Sequence, residues 1–375
     1  MMMARRVMII AGEASGDLHG SGVVRALKQH DPSVDIYGVG GDRMSAEGME
    51  LIYHIRELGF MGFVEVLKHL PFLKVMQHTL EQILRFKRPD VLLLIDYPGF
   101  NLRFARIAKR YGVRVVYYIS PQVWAWHRSR VTKMRGIVDK MLVIFPFEVE
   151  LYRAEGIDAE FVGHPLLEVL HTATERNTFR KQIGADPSRP LIALLPGSRK
   201  QELDGILPEM LTAARTVAKD MNAEIALGIA PTVDEAYVRT LFSVDGVHLV
   251  SGATYDLMAH ADFAFVTSGT ATLETACFGT PMLVVYRTSW LTYLIGRALV
   301  RVRNIGLVNI VAGRQIVPEL IQHRARASQL ARTALQLLRD PEALRTMRED
   351  LSGVRGKLGA PGASRRVADR ILAAD

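Results

Sequence analysis

Residues 91–119 read VLLLIDYPGFNLRFARIAKRYGVRVVYYI. Val91–Ile95 is apolar at every position, as in a strand buried on both faces, and Asp96 stands where the run ends. Pro98 and Gly99 turn the chain. Leu102–Tyr111 carries the spacing of an amphipathic helix, and Val113–Ile119 is a second β-branched and aromatic run. Strand, helix and strand in about thirty residues make one crossover unit with two parallel strands. The alternation extends in both directions. Val7–Ala11, Asp35–Val39 and Lys140–Phe145 read as strands, and Ser21–His30, Phe72–Phe86 and Phe147–Ala154 as helices. A second series follows, with strands at Leu191–Leu195, Glu224–Ile229, Val247–Val250, Phe263–Thr267 and Met282–Tyr286. Helices fall near Leu207–Lys219, Val233–Phe242, Tyr255–Ala261 and Ala271–Phe278. The pattern predicts an α/β chain of two doubly wound parallel sheets, with ligand groups at the C-terminal strand edges. Pro165 bars its predecessor from helix, so Gly163-His164-Pro165 is the expected break. The expected domains are 1–163 and 164–375. Helices from about Gln329, interrupted by GVRGKLGAPGAS, are available to pack back on the first domain.

Composition narrows the function classes. The chain has 375 residues, 49% hydrophobic and 23% charged, the balance of a globular protein. Its single cysteine, Cys277, excludes an internal disulfide and a cysteine-based zinc site, and reads as a small buried residue. The opening MMMARRVMII meets Gly12 and Glu13 too early for a signal-peptide core, and no apolar run is long enough to span a bilayer. A cytoplasmic site of action is expected. The net charge is +8. Nine basic residues and no acid lie between Arg103 and Arg135, which favours an anionic partner or, more simply, a solvated basic face.

Five motifs carry candidate chemistry. The first strand runs into GEASGDLHG, residues 12–20, where small residues suit close approach to a ligand. The glycine spacing is not that of a dinucleotide fingerprint, although Asp35 stands where the ribose-binding acid would be sought. Glu13 and Asp17 would repel phosphate and suit sugar hydroxyls; the alternative is a helix N-terminus with Asp17 favoured by the dipole. Asp96 reads as a general base at a strand edge, or as a helix cap. SPQVWAWH, residues 120–127, followed by Arg128 and Arg130, offers aromatics and cations to a nucleic acid, a sugar, a lipid or the other domain. LLPGSR, residues 194–199, ends a strand in Pro196-Gly197-Ser198 with the cation Arg199 following, an anion loop suited to a diphosphate but without the lysine of a P-loop. VTSGTATLE, residues 266–274, repeats the device with Thr267, Ser268, Gly269 and Thr270 ahead of a helix, and puts Glu274 one turn into that helix, in place for a ribose diol. No metal-ligand spacing is found. Residues 63–74 (FVEVLKHLPFLK) and 290–301 (WLTYLIGRALVR) read as membrane-interface segments or as core-facing helices.

Together and in this order, GEASGD, IDYPGFN, SPQVWAWHRSR, LLPGSR and SGTATLE resemble the lipid-A-disaccharide synthase family of glycosyltransferases (family 19). The resemblance runs from Val7 to VNIVAGR, which ends at Arg314. It implies a GT-B architecture of two Rossmann-like domains: an acceptor domain, then a UDP-sugar domain. The implied reaction is inverting transfer of 2,3-diacylglucosamine from UDP to 2,3-diacylglucosamine 1-phosphate, giving UDP and a β-1,6-linked disaccharide 1-phosphate, without metal or cofactor. Implied catalytic residues are Asp96, Arg199 and Glu13. Implied substrate-binding residues are Ser15, Gly16, Asp17, Gln122, Gly197, Ser198, Ser268, Gly269, Thr270, Ala271, Glu274 and Asn309. Some relatives carry a second aspartate where this chain has Gly99, which leaves Asp96 as the base, with Glu13 and Asp17 in reserve. Acylated substrates imply peripheral attachment to the anionic cytoplasmic face of the inner membrane, first through Phe63, Val66, Leu67, Leu70, Phe72 and Leu73. No nucleic-acid partner is implied, and a homodimer is an expectation. Two other readings are a different UDP-sugar enzyme on the same fold, such as a UDP-N-acetylglucosamine 2-epimerase or the undecaprenyl-linked glucosaminyltransferase, and a non-enzymatic basic binding protein. Transfer to an acylated acceptor separates them.

Overall fold

Strands that are apolar at every position need a layer on each face, and both sheets are built on them. The structure, a computed structural model, describes residues 5–58, 70–122, 129–288 and 304–373. It divides into two units, Met1–Glu168 with Leu358–Asp375, and Val169–Lys357. The division falls after the expected Gly163–Pro165 break.

The first unit holds a seven-stranded sheet in the order β3-β2-β1-β4-β5-β6-β7. Its strands are β1 (Arg6–Ala11), β2 (Asp35–Gly40), β3 (Glu50–His54), β4 (Val91–Ile95), β5 (Arg114–Tyr118), β6 (Lys140–Val143) and β7 (Ala159–Phe161). The second holds six strands in the order β10-β9-β8-β11-β12-β13. These are β8 (Leu191–Leu195), β9 (Glu224–Ile229), β10 (His248–Ser251), β11 (Phe263–Thr267), β12 (Met282–Tyr286) and β13 (Glu319–Ile321). The strand pairs are parallel throughout. Each order reverses beside its first strand, β1 or β8, the topological switch point at which such sheets bind ligands.

The core follows the apolar runs. Val91–Ile95 and Phe263–Val266 are fully buried. On one face of the first sheet, Leu92 and Leu94 pack with Leu80, Leu84, Phe104 and Ile107. In the second unit, Leu194, Phe263 and Phe265 pack with Leu207, Met210 and Leu211. Cys277 is buried and free, and burial pushes its thiol up to about 11.

Three expectations change. The GEASGD segment is mostly helix, because only Gly12 and Glu13 separate β1 from the Ala14–His30 helix, which starts before the expected Ser21. Its glycines serve packing: a Cβ on Gly16 would stand 3.1 Å from the Ala11 Cβ, and one on Gly20 would stand 2.7 Å from the Met44 sulfur. The Lys200–Met221 helix starts before the expected Leu207 and carries Pro208 inside it. The Pro341–Lys357 helix runs through Gly353 and Gly356, so only the latter part of GVRGKLGAPGAS breaks it.

The final helix, Ala363–Leu372, belongs to the first unit. Ser364 donates its backbone N–H to Glu168 at 2.8 Å, Arg366 bonds the Val162 carbonyl at 2.7 Å, and Arg370 pairs with Glu160 at 2.7 Å. Among the described residues, no helix is long and apolar enough to cross a membrane.

Candidate active site

The register of the first sheet sets Ala11 beside Ile95, so Gly12-Glu13 and Asp96-Tyr97 leave the sheet side by side. Gly12 is required by its neighbour: a Cβ there would lie 2.3 Å from the Tyr97 ring. Asp96 and Tyr97 are both left-handed, with φ of 46° and 48°, a conformation that costs non-glycine residues about 1–3 kcal/mol each. The corner is held from beneath. The Asp96 carbonyl accepts hydrogen bonds from the fully buried Asn101 Nδ2 at 2.7 Å and from the Tyr117 hydroxyl at 2.6 Å. The Asp96 N–H donates to the Tyr118 carbonyl at 3.1 Å. Pro98 starts the next helix with its φ already set.

The Asp96 carboxyl is half-buried. Burial, reinforced by the negative Glu13 nearby, raises its pKa from 3.8 to about 6, against a hydrogen bond from the Tyr97 backbone. A carboxylate in that range holds a proton more readily than an ordinary aspartate, yet it is mostly ionised at neutral pH, as a general base must be. Glu13 and Ser15 are exposed at the same edge, whereas Gly16 is buried.

Asp17 is placed differently from expectation. It is 5% exposed, and its two oxygens accept N–H bonds from Gly41 at 2.7 Å, Met44 at 3.1 Å and Arg43 at 3.2 Å. It fixes the turn after β2 and caps the Asp42–Ala46 helix rather than facing a sugar. Asp35 starts β2 at the edge opposite the ligand side, which removes the dinucleotide reading. Beyond β5, Ser120 donates to Glu148 at 2.7 Å and Gln122 is exposed. Residues 123–128, including both tryptophans of that motif, lie outside the described residues.

In the second unit, Leu195 pairs with Val266, which brings both small-residue loops to one edge. Gly197 has φ of 110°. Ser198 and Arg199 are exposed, and Arg199 is the N-cap of the Lys200–Met221 helix. Glu202, in the first turn, accepts the Ser198 N–H at 3.2 Å and meets the Arg199 guanidinium at 3.5 Å. Sequence reading overlooked Glu202, although an acid three residues after an N-cap is a capping-box signal. In the other loop, Gly269 has φ of 148° and opens the Thr270–Cys277 helix, whose first N–H groups have no partner within the helix. Thr270 is exposed, and Ala271 half-buried. The Gly269 carbonyl accepts the Thr272 hydroxyl at 2.8 Å, and Ser268 Oγ donates to the Ile305 carbonyl at 2.9 Å. Glu274 is half-buried; burial raises it to about 6, opposed by the Tyr255 hydroxyl, 3.4 Å away. The edge thus offers backbone donors and one cation for a diphosphate, and a carboxylate one turn away for hydroxyls.

Asn309 is not at this surface. It is fully buried, donates from Nδ2 to the Val317 carbonyl and Glu319, and accepts the Ile316 and Val317 N–H groups, all at 2.8–3.1 Å. With donors and acceptor in use inside the fold, it is a structural residue rather than the expected substrate ligand. Of the expected membrane residues, Phe72 and Leu73 are half-buried against the core, with Phe72 edge-on to Tyr53. Phe63, Val66 and Leu67 lie outside the described residues, and Leu70 is described only as the start of its helix. Among the described side chains of that helix, the large apolar ones exposed are Val75 and Phe86. Among the described residues, no three His, Cys, Asp or Glu side chains group to hold a metal ion.

With this geometry established, comparison with known proteins is specific. The family model described as lipid-A-disaccharide synthetase matches residues 7–366. The lipid-A-disaccharide synthase of Syntrophus aciditrophicus is 45% identical over 375 residues, covering 99% of this chain and 98% of the relative. Among solved structures, the glycotransferase of kitacinnamycin matches with a TM-score of 0.66 at 17% identity, covering 98% of each chain. The UDP-GlcNAc 2-epimerase of Neisseria meningitidis, solved with UDP-GlcNAc, matches with a TM-score of 0.64 at 16% identity, covering 98% of this chain and 99% of that one. These two likenesses show the shared two-domain GT-B fold alone. The family match and the close relative, both spanning nearly the whole chain, make it a member of the lipid-A-disaccharide synthase family of UDP-sugar glycosyltransferases.

Proposed function

We propose that the protein transfers 2,3-diacylglucosamine from UDP to the 6-hydroxyl of 2,3-diacylglucosamine 1-phosphate, with inversion at the donor C1. The observation that carries this reading is the half-buried Asp96 carboxylate beside Glu13, raised to about 6. Asp96 takes the acceptor 6-hydroxyl proton while that oxygen bonds to C1. The bond from C1 to the UDP oxygen breaks, and the departing pair of electrons stays with UDP. Arg199 and the N–H groups of the two small-residue loops stabilise the charge that gathers on the diphosphate. Glu274 accepts from the ribose hydroxyls. Ser15 and Gln122, both exposed at the edge of the first sheet, meet the acceptor.

The products are UDP and the β-1,6-linked disaccharide 1-phosphate. Because both lipids carry acyl chains, the protein acts at the cytoplasmic face of the inner membrane, attached peripherally. The exposed Val75 and Phe86, with Arg103 and Arg106 exposed on the neighbouring Pro98–Arg110 helix, support that attachment. The test supplies the purified protein with both acylated substrates and follows UDP and disaccharide together. Asp96→Asn, which cannot take a proton, is expected to lose about 10²–10⁴-fold in kcat with UDP affinity unchanged. A variant that keeps more than half the wild-type rate removes Asp96 from the mechanism and directs attention to Glu13.

A further inference from the structure

Glu319 is the first residue of the edge strand β13 and is 8% exposed. A carboxylate at such a depth is costly unless its oxygens are satisfied. Here they are: Oε2 accepts the Ile305 N–H at 2.9 Å, and Oε1 accepts the Gly306 N–H at 3.0 Å and Asn309 Nδ2 at 2.8 Å. A Cβ on Gly306 would stand 3.1 Å from Oε1, so the backbone approaches the carboxylate closely. Three residues further on, Gln322 is left-handed, with φ of 53°, and 6% exposed. Its side-chain amide pairs with Thr288 in both directions, at 2.8 Å and 3.0 Å. One short strand and the turn after it therefore tie down both Thr288, just past β12, and Ile305–Gly306.

The tie reaches the loop after β11. The Ile305 carbonyl, one atom group away from the N–H that Glu319 holds, accepts the Ser268 hydroxyl at 2.9 Å, while the Ser268 N–H donates to Val285 at 3.1 Å. The only hydroxyl proton of Ser268 is thereby committed inward, and toward a ligand its oxygen can only accept. A phosphate oxygen is also an acceptor, so it is a poor partner for Ser268. A nucleoside donor, an imide N–H or a ribose O–H, fits.

We infer that Glu319 is a positioning residue for nucleotide binding: by holding Ile305–Gly306 it orients Ser268 Oγ as an acceptor for a nucleoside hydrogen-bond donor. This rests on the reading that places the nucleotide in the second unit. UDP affinity is measured by calorimetry for Glu319→Gln, Ser268→Ala and the double variant, with Glu274→Ala and Arg199→Ala alongside. Each of the first two is expected to weaken UDP about tenfold, near 1.4 kcal/mol. Because they act on one contact, the double variant is expected to stay near tenfold rather than reach a hundredfold. Wild-type affinity in Glu319→Gln, or a hundredfold loss in the double variant, overturns the inference. Should Glu319→Gln fail to fold, hydrogen exchange at the Ile305 and Gly306 amides decides: it should quicken in Ser268→Ala, and unchanged exchange overturns the link. If Glu274→Ala and Arg199→Ala also bind UDP as wild type does, the nucleotide is not in this unit and the underlying reading fails; if they alone weaken it, only the role of Glu319 falls.

Discussion

At the scale of the residue, Asp96 combines strain and burial. Its displacement from 3.8 to about 6 corresponds to at most about 3 kcal/mol against the charged form, at 1.36 kcal/mol per pKa unit. Because the folded pKa is raised, the favourable protonated state is full below about pH 4 and is lost as pH rises through 6. The proposed role as base needs the opposite, ionised state. With donor saturating, kcat is therefore expected to rise with pH through about 6 and to level above it. Glu13 contributes to the raised value, so Glu13→Gln should move that acid limb to lower pH while leaving the plateau recognisable. A pH–rate profile measured for both proteins checks this, and an unmoved limb would assign the shift to burial alone. The Asp96 candidate was legible because a lone carboxylate ended an apolar run. Asp17 and Asn309 misled because their partners are backbone amides: Gly41 and Met44 for one, Ile316 and Val317 for the other.

At the scale of the element, the first strand-to-helix turn shows why some glycines matter and others do not. A Cβ on Gly12 would enter the Tyr97 ring, whereas a Cβ on Gly99 meets nothing within 4 Å. Gly12→Ala should displace Tyr97 and the Asp96 corner, cost about 1–3 kcal/mol in urea unfolding, and lower kcat. Gly99→Ala, near the start of the Pro98–Arg110 helix, should fold as stably as wild type or up to about 1 kcal/mol more so. Equal effects of the two substitutions would contradict this packing. The same physics explains what could be read beforehand. The bounds of β4, β8, β9, β11 and β12 follow directly from apolar runs buried on both sides. The strands β3, β7 and β13 escaped notice because they are short edges with polar residues, ELIYH, AEF and ELI. GEASGD passed for a loop because glycine ordinarily breaks helices, while here it admits Ala11 and Met44 against the helix.

At the scale of the whole molecule, the positive charge and the acylated substrates of the proposed reaction bear on each other. The basic stretch is only partly neutralised internally: Lys109 pairs with Asp139 at 2.7 Å and Arg110 meets Glu81 at 3.6 Å, while Arg103, Arg106, Lys133 and Arg135 are exposed. Each basic residue near an anionic surface adds about 1 kcal/mol, screened over about 8 Å at physiological salt. Cosedimentation with anionic vesicles should therefore weaken with salt without vanishing, because apolar contact is not screened. Replacing the exposed Val75 and Phe86 by serine should reduce binding and leave thermal stability near wild type, whereas Leu73→Ser should destabilise the fold first. Unchanged vesicle binding in the folded double variant would place the contact on other residues, with the Trp290–Arg301 stretch next in line.

The return of the Ala363–Leu372 helix to the first sheet also sets a timetable for the nascent chain. All seven strands of that sheet emerge from the ribosome before residue 169, yet Val162, Glu160 and Glu168 wait for Arg366, Arg370 and Ser364, which lie 204, 210 and 196 positions later. At about 5–20 residues per second, that wait is roughly 10–40 s. The second unit, by contrast, is contiguous and complete at Lys357. The unit begun first is finished last, and its unclosed helix face is the surface that a ribosome-bound chaperone would encounter during synthesis.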